Sequence, residues 1–405
     1  MKQKKKKTWM RYRHRVVRNI AYVLIGTYVH LTYGLKVRKF KEQENRPYLI
    51  IMNHQTGFDQ FFVGMAFRGP IYYVASEDLF SNGWISKLLS WAVAPIPIKK
   101  QTTDVRAVMT CMRVAREGGT IALAPEGNRT YSGRTVYFKP SILPLVRKLK
   151  LPLAIFRIEG GYGVQPRWSD VIRKGPMTAG VSEVIQPEEY EKLSDEALFK
   201  RISDGLWVDE TQLPGVYRHK KNAEFLERAL YVCPFCGLSE FESHDDILTC
   251  KTCGRQIRHN PDRTLTGVDF EFPYANVADW YDAQCDYVNH LQLTEMPYTE
   301  KPIYTDTVAL SEVILYKNKQ PICDKVRMEL YGDRIEIKDG AAMVLPFADI
   351  QAITVLGKNK LNVYYGDKLY QMKGDKRFNA LKYVNLCFRY KNIMEGDGNG
   401  EFLGL

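Results

Sequence analysis

The chain has 405 residues, 45% hydrophobic and 26% charged, which is enough for two or three folded domains and excludes a disordered chain. It carries a formal net charge of +12 and eight cysteines. Four cysteines fall in two C-x-x-C pairs, which points to metal in a reducing compartment and away from a disulfide framework. Cys111, Cys285, Cys323 and Cys387 are scattered and read as buried thiols.

The positive charge crowds the start, at Lys2, Lys4, Lys5, Lys6, Lys7, Arg11, Arg13, Arg15 and Arg18. An apolar run over 20–35 follows, interrupted by Thr27, His30 and Thr32. It is shorter than the roughly 20 residues that span a bilayer. No small-x-small cleavage pattern follows it; Lys36, Arg38, Lys39 and Lys41 come next. This basic, apolar, basic order predicts a helix lying in the headgroup region of an anionic membrane surface, peripheral on the cytoplasmic face. A helix packed on its own domain, with a solvated basic tail, is the other reading. Nucleic acid is not an expected partner, because the aromatic residues sit inside the apolar run and no nucleic-acid module is visible.

From 47 to 156 strand and helix patterns alternate. Residues 48–52 are a short apolar run that reads as a buried strand, and 58–67 as the start of a helix. Between them lies Asn-His-Gln-Thr-Gly-Phe-Asp. His54 is placed at the carboxyl end of the strand, where α/β sheets carry their sites, and Asp59 near the helix N-terminus. A carboxylate there can take the Nδ1 proton of His54 and leave Nε2 as a general base. Further strands are predicted at 71–75, 94–98, 120–124, 153–158 and 176–185. Helices are predicted at 84–92, 104–117 (Asp104 as N-cap, Gly118 and Gly119 as the stop), 141–150, and from Ser194 to Leu206. The alternation predicts an α/β fold with a largely parallel sheet flanked by helices.

The strand at 120–124 runs into Ala124-Pro-Glu126-Gly127-Asn128-Arg129-Thr130. With His54 and Asp59 upstream, this stretch resembles the glycerolipid acyltransferases, the 1-acylglycerol-3-phosphate acyltransferase family, which carry H-x4-D followed by P-E-G-x-R. The resemblance covers about half of the chain. It implies that His54 takes the proton of an acceptor hydroxyl, that Asp59 orients His54, and that the hydroxyl attacks an acyl thioester directly. It implies that Arg129 grips a phosphate, Glu126 fixes the loop or the glycerol, and Gly127 permits the turn. Pro152 matches the family's last block. Lys99 and Lys100 stand where the family has an arginine that meets phosphate; they keep the charge and lose the bidentate geometry. Asn128 and Ala124 stand where Thr and Phe are frequent, which leaves the acceptor more open than the reaction. The implied donor is acyl-CoA or acyl carrier protein. The implied acceptor is lysophosphatidic acid, giving phosphatidic acid, with another lysolipid or glycerol 3-phosphate as alternatives. A lipid- or protein-binding scaffold that has lost activity is the rival from another class.

Downstream, a helix is predicted at 223–231. Cys233-Pro-Phe-Cys236-Gly and Cys250-Lys-Thr-Cys253-Gly then resemble a zinc ribbon. Four thiolates close a tetrahedral structural Zn2+ site, so His244 and His259 are not needed as ligands. A helix over 278–291 precedes seven short strand patterns between 308 and 372 and a helix over 377–390. That order resembles the pleckstrin-homology-like superfold, a small antiparallel barrel with a C-terminal helix. The expected division is 1–45 membrane-associating, 46–210 acyltransferase, 211–262 linker helix and zinc ribbon, 263–300 connecting helix, 301–395 barrel, and 396–405 tail.

Overall fold

The structure is a computed structural model that describes residues 8–43, 47–81, 83–98, 104–314, 317 and 319–396. Its first half is a seven-stranded sheet between two helical layers. The strands are β1 (Leu35–Val37), β2 (Leu49–Met52), β3 (Ile71–Ser76), β4 (Ile96–Ile98), β5 (Thr120–Leu123), β6 (Leu153–Glu159) and β7 (Met177–Ile185), in the order β1-β7-β6-β2-β5-β3-β4. All four residues of β2 are buried, because helices cover both sides of the sheet. Leu49 and Ile51 enter one apolar layer with Leu143, Val146 and Ile202. Ile50 enters the other with Val29, Phe62 and Val63. Each such side chain contributes about 1.5–3 kcal/mol on burial.

The sheet is mixed rather than largely parallel. β6, β2, β5, β3 and β4 run together, but β7 pairs antiparallel with β6, and β1 runs parallel to β7. A strand's local pattern does not encode its direction. Here the chain returns from β6 through residues 160–176 on the same edge of the sheet, which reverses β7.

The longer helices of this half are α1 (Tyr12–Tyr33), α2 (Asp59–Ala66), α3 (Gly83–Ala92), α4 (Val105–Arg116) and α5 (Leu143–Leu149), followed by Asp195–Leu206. Asp104 caps α4 through the N–H groups of Arg106 and Ala107, and Ser194 caps the helix Asp195–Leu206. Helix α1 begins earlier than the apolar run and packs on α2 through Val29 and Tyr33, whose ring lies 5.3 Å from Phe58. No helix among the described residues is long and apolar enough to cross a membrane.

The helix expected at 223–231 does not form. Phe225 has φ +71°, its N–H bonds the Ser243 hydroxyl (2.6 Å), and only a short 3-10 turn, Leu226–Arg228, remains. Buried Arg228, bonded to the Trp168 carbonyl (2.8 Å) and Asp170 (2.8 Å), fixes that turn instead. Next come a two-stranded hairpin (Val232–Cys233 with Gly237–Leu238), a four-stranded antiparallel sheet over 241–267 and the helix Val277–Asn289. The last part is a seven-stranded antiparallel, near-closed sheet from Tyr304 to Lys373. The helix Leu381–Met394 packs against its strand Ile350–Leu356. One apolar core runs from Tyr131, Tyr162 and Trp168 of the first half into this region.

Candidate active site

β2 lies between β5 and β6, and the loops at the carboxyl ends of these three strands meet. Buried Asn53 holds the edge together. Its amide donates to the Ile158 carbonyl (2.9 Å) and accepts the Ile158 N–H (2.8 Å), which extends the β2–β6 pairing past the strand end. His54 follows directly. Its Nδ1 is 2.7 Å from Asp59 Oδ2, as the H-x4-D spacing predicts. Asp59 is the first residue of α2 and is fully buried. It also accepts the N–H of Gln55 (2.7 Å), the N–H of Thr56 (2.9 Å) and the Thr56 hydroxyl (2.7 Å). Because Asp59 offers only acceptor oxygens to these donors, the Nδ1 of His54 carries the ring proton, and the opposite nitrogen, Nε2, is left as the acceptor. Nε2 has no partner among the described residues, and the side chain is 26% exposed. The Thr56 role was missed at the sequence level, although its place inside the motif is the signal that could have revealed it.

The second motif grips the first by its main chain. Glu126 Oε1 accepts the His54 N–H (2.9 Å), Oε2 accepts the Val136 N–H (2.9 Å), and the Thr130 N–H donates to the His54 carbonyl (3.1 Å). Burial, with the charge of Asp59 adding to it, pushes the Glu126 carboxyl up to about 8, against the two N–H bonds. Gly127 has φ +68° with open space around it, so backbone conformation rather than room selects glycine there.

Arg129 is half-buried beside the His54 turn. A Cβ on Gly57 would lie 4.0 Å from its Nη1. Its guanidinium has no hydrogen bond or ion pair among the described residues. Burial and then the Arg167 charge pull it down to about 10, with Asp59 opposing, so it stays a cation at neutral pH. Arg167, 3% exposed, donates to the Arg129 carbonyl (3.1 Å) and the Asn128 side chain (3.3 Å) and was not foreseen. Lys99 and Lys100 lie outside the described residues. Among the described residues the arrangement thus joins an imidazole whose Nε2 has no partner, a buried carboxylate behind it, and a guanidinium without an ion pair alongside. That set can deprotonate a hydroxyl on a molecule held by its anionic group.

Elsewhere, the Sγ atoms of Cys233, Cys236, Cys250 and Cys253 lie within 4.8 Å of one another. Cys233 to Cys253 is 3.8 Å and Cys236 to Cys250 is 3.6 Å. These separations exclude disulfides and suit four thiolates about 2.3 Å from one tetrahedral ion. His259 is not part of the cluster; it is buried against Trp168, with ring centroids 5.7 Å apart.

Residues 35–158 match the family described as Acyltransferase. Two curated plant proteins are similar over the same half. The 1-acyl-sn-glycerol-3-phosphate acyltransferase BAT2, chloroplastic, of Brassica napus is 20% identical over 195 residues, covering 46% of this chain and 55% of that protein. LPAT1, chloroplastic, of Arabidopsis thaliana, which has the same enzyme name, is 20% identical over 200 residues, covering 47% and 54%. The chain spans about half the length of these curated relatives. Among solved structures, the 1-acyl-sn-glycerophosphate acyltransferase PlsC of Thermotoga maritima aligns with a TM-score of 0.40 and 20% identity over 48% of this chain and 78% of that one. The similarity is therefore at family level, to glycerolipid acyltransferases, and it covers the half that holds His54 and Arg129.

Proposed function

We propose that the protein is a membrane-surface O-acyltransferase. It moves a fatty acyl group from a thioester donor, acyl-CoA or acyl carrier protein, to the free hydroxyl of lysophosphatidic acid. His54 carries this reading: its Nδ1 is bound by buried Asp59, and among the described residues neither its Nε2 nor the guanidinium of Arg129 beside the same turn has a partner. Arg129 takes the acceptor phosphate in its planar fork. His54 Nε2 removes the hydroxyl proton as the oxygen attacks the thioester carbonyl. The ester C–O bond forms, the C–S bond breaks, and the proton returns from His54 to the departing thiolate. Asp59 holds the imidazole in the tautomer this needs, and Glu126 and Thr130 hold its main chain. No acyl-enzyme is involved.

The membrane is reached through a joint face of α1 and α3. Tyr12, Val16, Ile20, Val23, Leu24 and Leu31 are exposed along α1, and Trp84, Ile85, Leu88 and Trp91 along α3. Arg13 joins the two helices by donating to the Trp91 carbonyl (2.8 Å) and lying 5.3 Å over its ring. Aromatic and aliphatic side chains in that number suit insertion into one leaflet, and basic residues at both ends of α1 suit anionic headgroups on the cytoplasmic face. The four cysteines hold a structural Zn2+, and the C-terminal barrel is a pleckstrin-homology-like accessory module. We keep the division into 1–45, 46–210, 211–262, 263–300, 301–395 and 396–405 as a proposal, with the Leu226–Arg228 turn in place of a linker helix. The test is thiol release. Free CoA should appear when acyl-CoA and lysophosphatidic acid are mixed with protein on anionic vesicles. Release that does not depend on any acceptor would contradict the reading.

A further inference from the structure

The loop over 124–136 holds the His54 main chain and carries Arg129, and it is tied in turn to the downstream half of the chain. Arg134 pairs with Asp209 (3.1 Å) and reaches across to Asp279 (2.8 Å) and Asp282 on the helix Val277–Asn289. Tyr131 stacks on Tyr281 of the same helix, with centroids 6.5 Å apart and planes at 11°. Arg167 lies 4.3 Å over Tyr131 and, besides its bonds to the loop, donates to the Val355 carbonyl of the barrel (3.0 Å).

The helix is equally fixed on its other side. Trp280 Nε1 donates to the Val232 carbonyl (2.8 Å). Gln284 accepts the N–H of Tyr231 (2.7 Å) and of Val232 (3.1 Å) and donates to the Ala229 carbonyl (3.0 Å). Val232 is the residue before Cys233, in the same short strand. Positions 279 and 282 are one turn apart and share one face, and 280 and 284 share another. Trp280 and Gln284 are both buried, so the ribbon side of the helix is packed into the core.

We infer that the helix Val277–Asn289 is a strut between the four-cysteine ribbon and the active-site loop, and that Arg134 is the positioning residue through which it sets Arg129 and the His54 main chain. The inference rests on the acyl-transfer reading of that site. Asp279 and Asp282 are 38% and 58% exposed, so neutralising them takes the charge out of the tie without opening the core. An isolated exposed ion pair adds little, but three carboxylates on one guanidinium form a network.

The experiment compares the full-length protein with the double variant Asp279→Asn, Asp282→Asn, and Arg134→Ala with Arg134→Lys. Amide hydrogen exchange over 124–136 should speed about 5- to 10-fold in the double variant, while exchange in β2 and β6 and the melting temperature stay put. KM for lysophosphatidic acid should rise by a similar factor, with kcat changing less, and Arg134→Lys should recover part of what Arg134→Ala loses. Loop exchange and KM equal to wild type in the double variant would overturn the inference. If wild-type protein transfers no acyl group to any acceptor, the acyl-transfer reading falls by itself, and the exchange data still decide the strut.

Discussion

The Glu126 carboxyl group accepts the backbone N–H of His54 at 2.9 Å on one oxygen and the N–H of Val136 on the other, so one side chain joins the two motifs through their main chains. Both oxygens act as acceptors. Glu126→Gln therefore places an NH2 group against one of two N–H donors, and one buried bond becomes a clash of donors. We expect kcat to fall about 10- to 100-fold, with the His54–Asp59 bond intact, because the base is displaced rather than removed. Steady-state kinetics checks this; wild-type kcat in the variant would show that the bond is incidental.

Arg129 is expected to act on binding. Arg129→Lys keeps the charge and loses the bidentate fork, so KM for a phosphate-bearing acceptor should rise about tenfold, with a smaller change in kcat. A change in kcat alone would place Arg129 at the reacting atoms instead.

Trp84 and Trp91 are exposed on α3, at 72% and 53%. Replacing both by Ala should lower partition onto anionic vesicles about tenfold and leave the melting temperature unchanged. Sedimentation with the vesicles measures it, and unchanged partition would remove α3 from the membrane face.

His259 gives a pH signature. Burial, then the Arg173 charge, depresses it from 6.5 to about 3, and neither ring nitrogen has a partner among the described residues. Because the folded value lies below the unfolded one, the unfolded chain takes up a proton between those values that the fold refuses. This component of stability is present above about pH 6.5 and is lost as pH falls towards 3, at up to about 1.4 kcal/mol per unit. His259→Phe should lack it. Urea midpoints between pH 7.5 and 5 should fall more steeply for wild type than for the variant, and equal slopes would contradict the assignment.

Local pattern made much of this legible. The run over 48–52, the caps Asp104 and Ser194 and the H-x4-D spacing each concern neighbours in the chain, and each has its expected geometry. What was not legible depends on distant partners. The reversal of β7 is a matter of how the 160–176 connection returns. The lost helix at 223–231 yields to Ser243 and Asp170, neither of them a near neighbour in sequence. The ties of Arg134 and Arg167 span 145 and 188 residues and leave no periodic trace. Helix α1 shows a mixed outcome: its apolar run was visible, but sequence alone did not separate the buried Val29 and Tyr33 from the exposed row that faces outward.

The most direct measurement is product analysis by mass spectrometry. Purified protein on anionic vesicles is given lysophosphatidic acid, other lysolipids or glycerol 3-phosphate, each with acyl-CoA or acyl carrier protein, beside His54→Ala. Phosphatidic acid should form from lysophosphatidic acid, reduced by about 10³-fold or more in the variant. No acylated product from any acceptor, or equal product from His54→Ala, would contradict it.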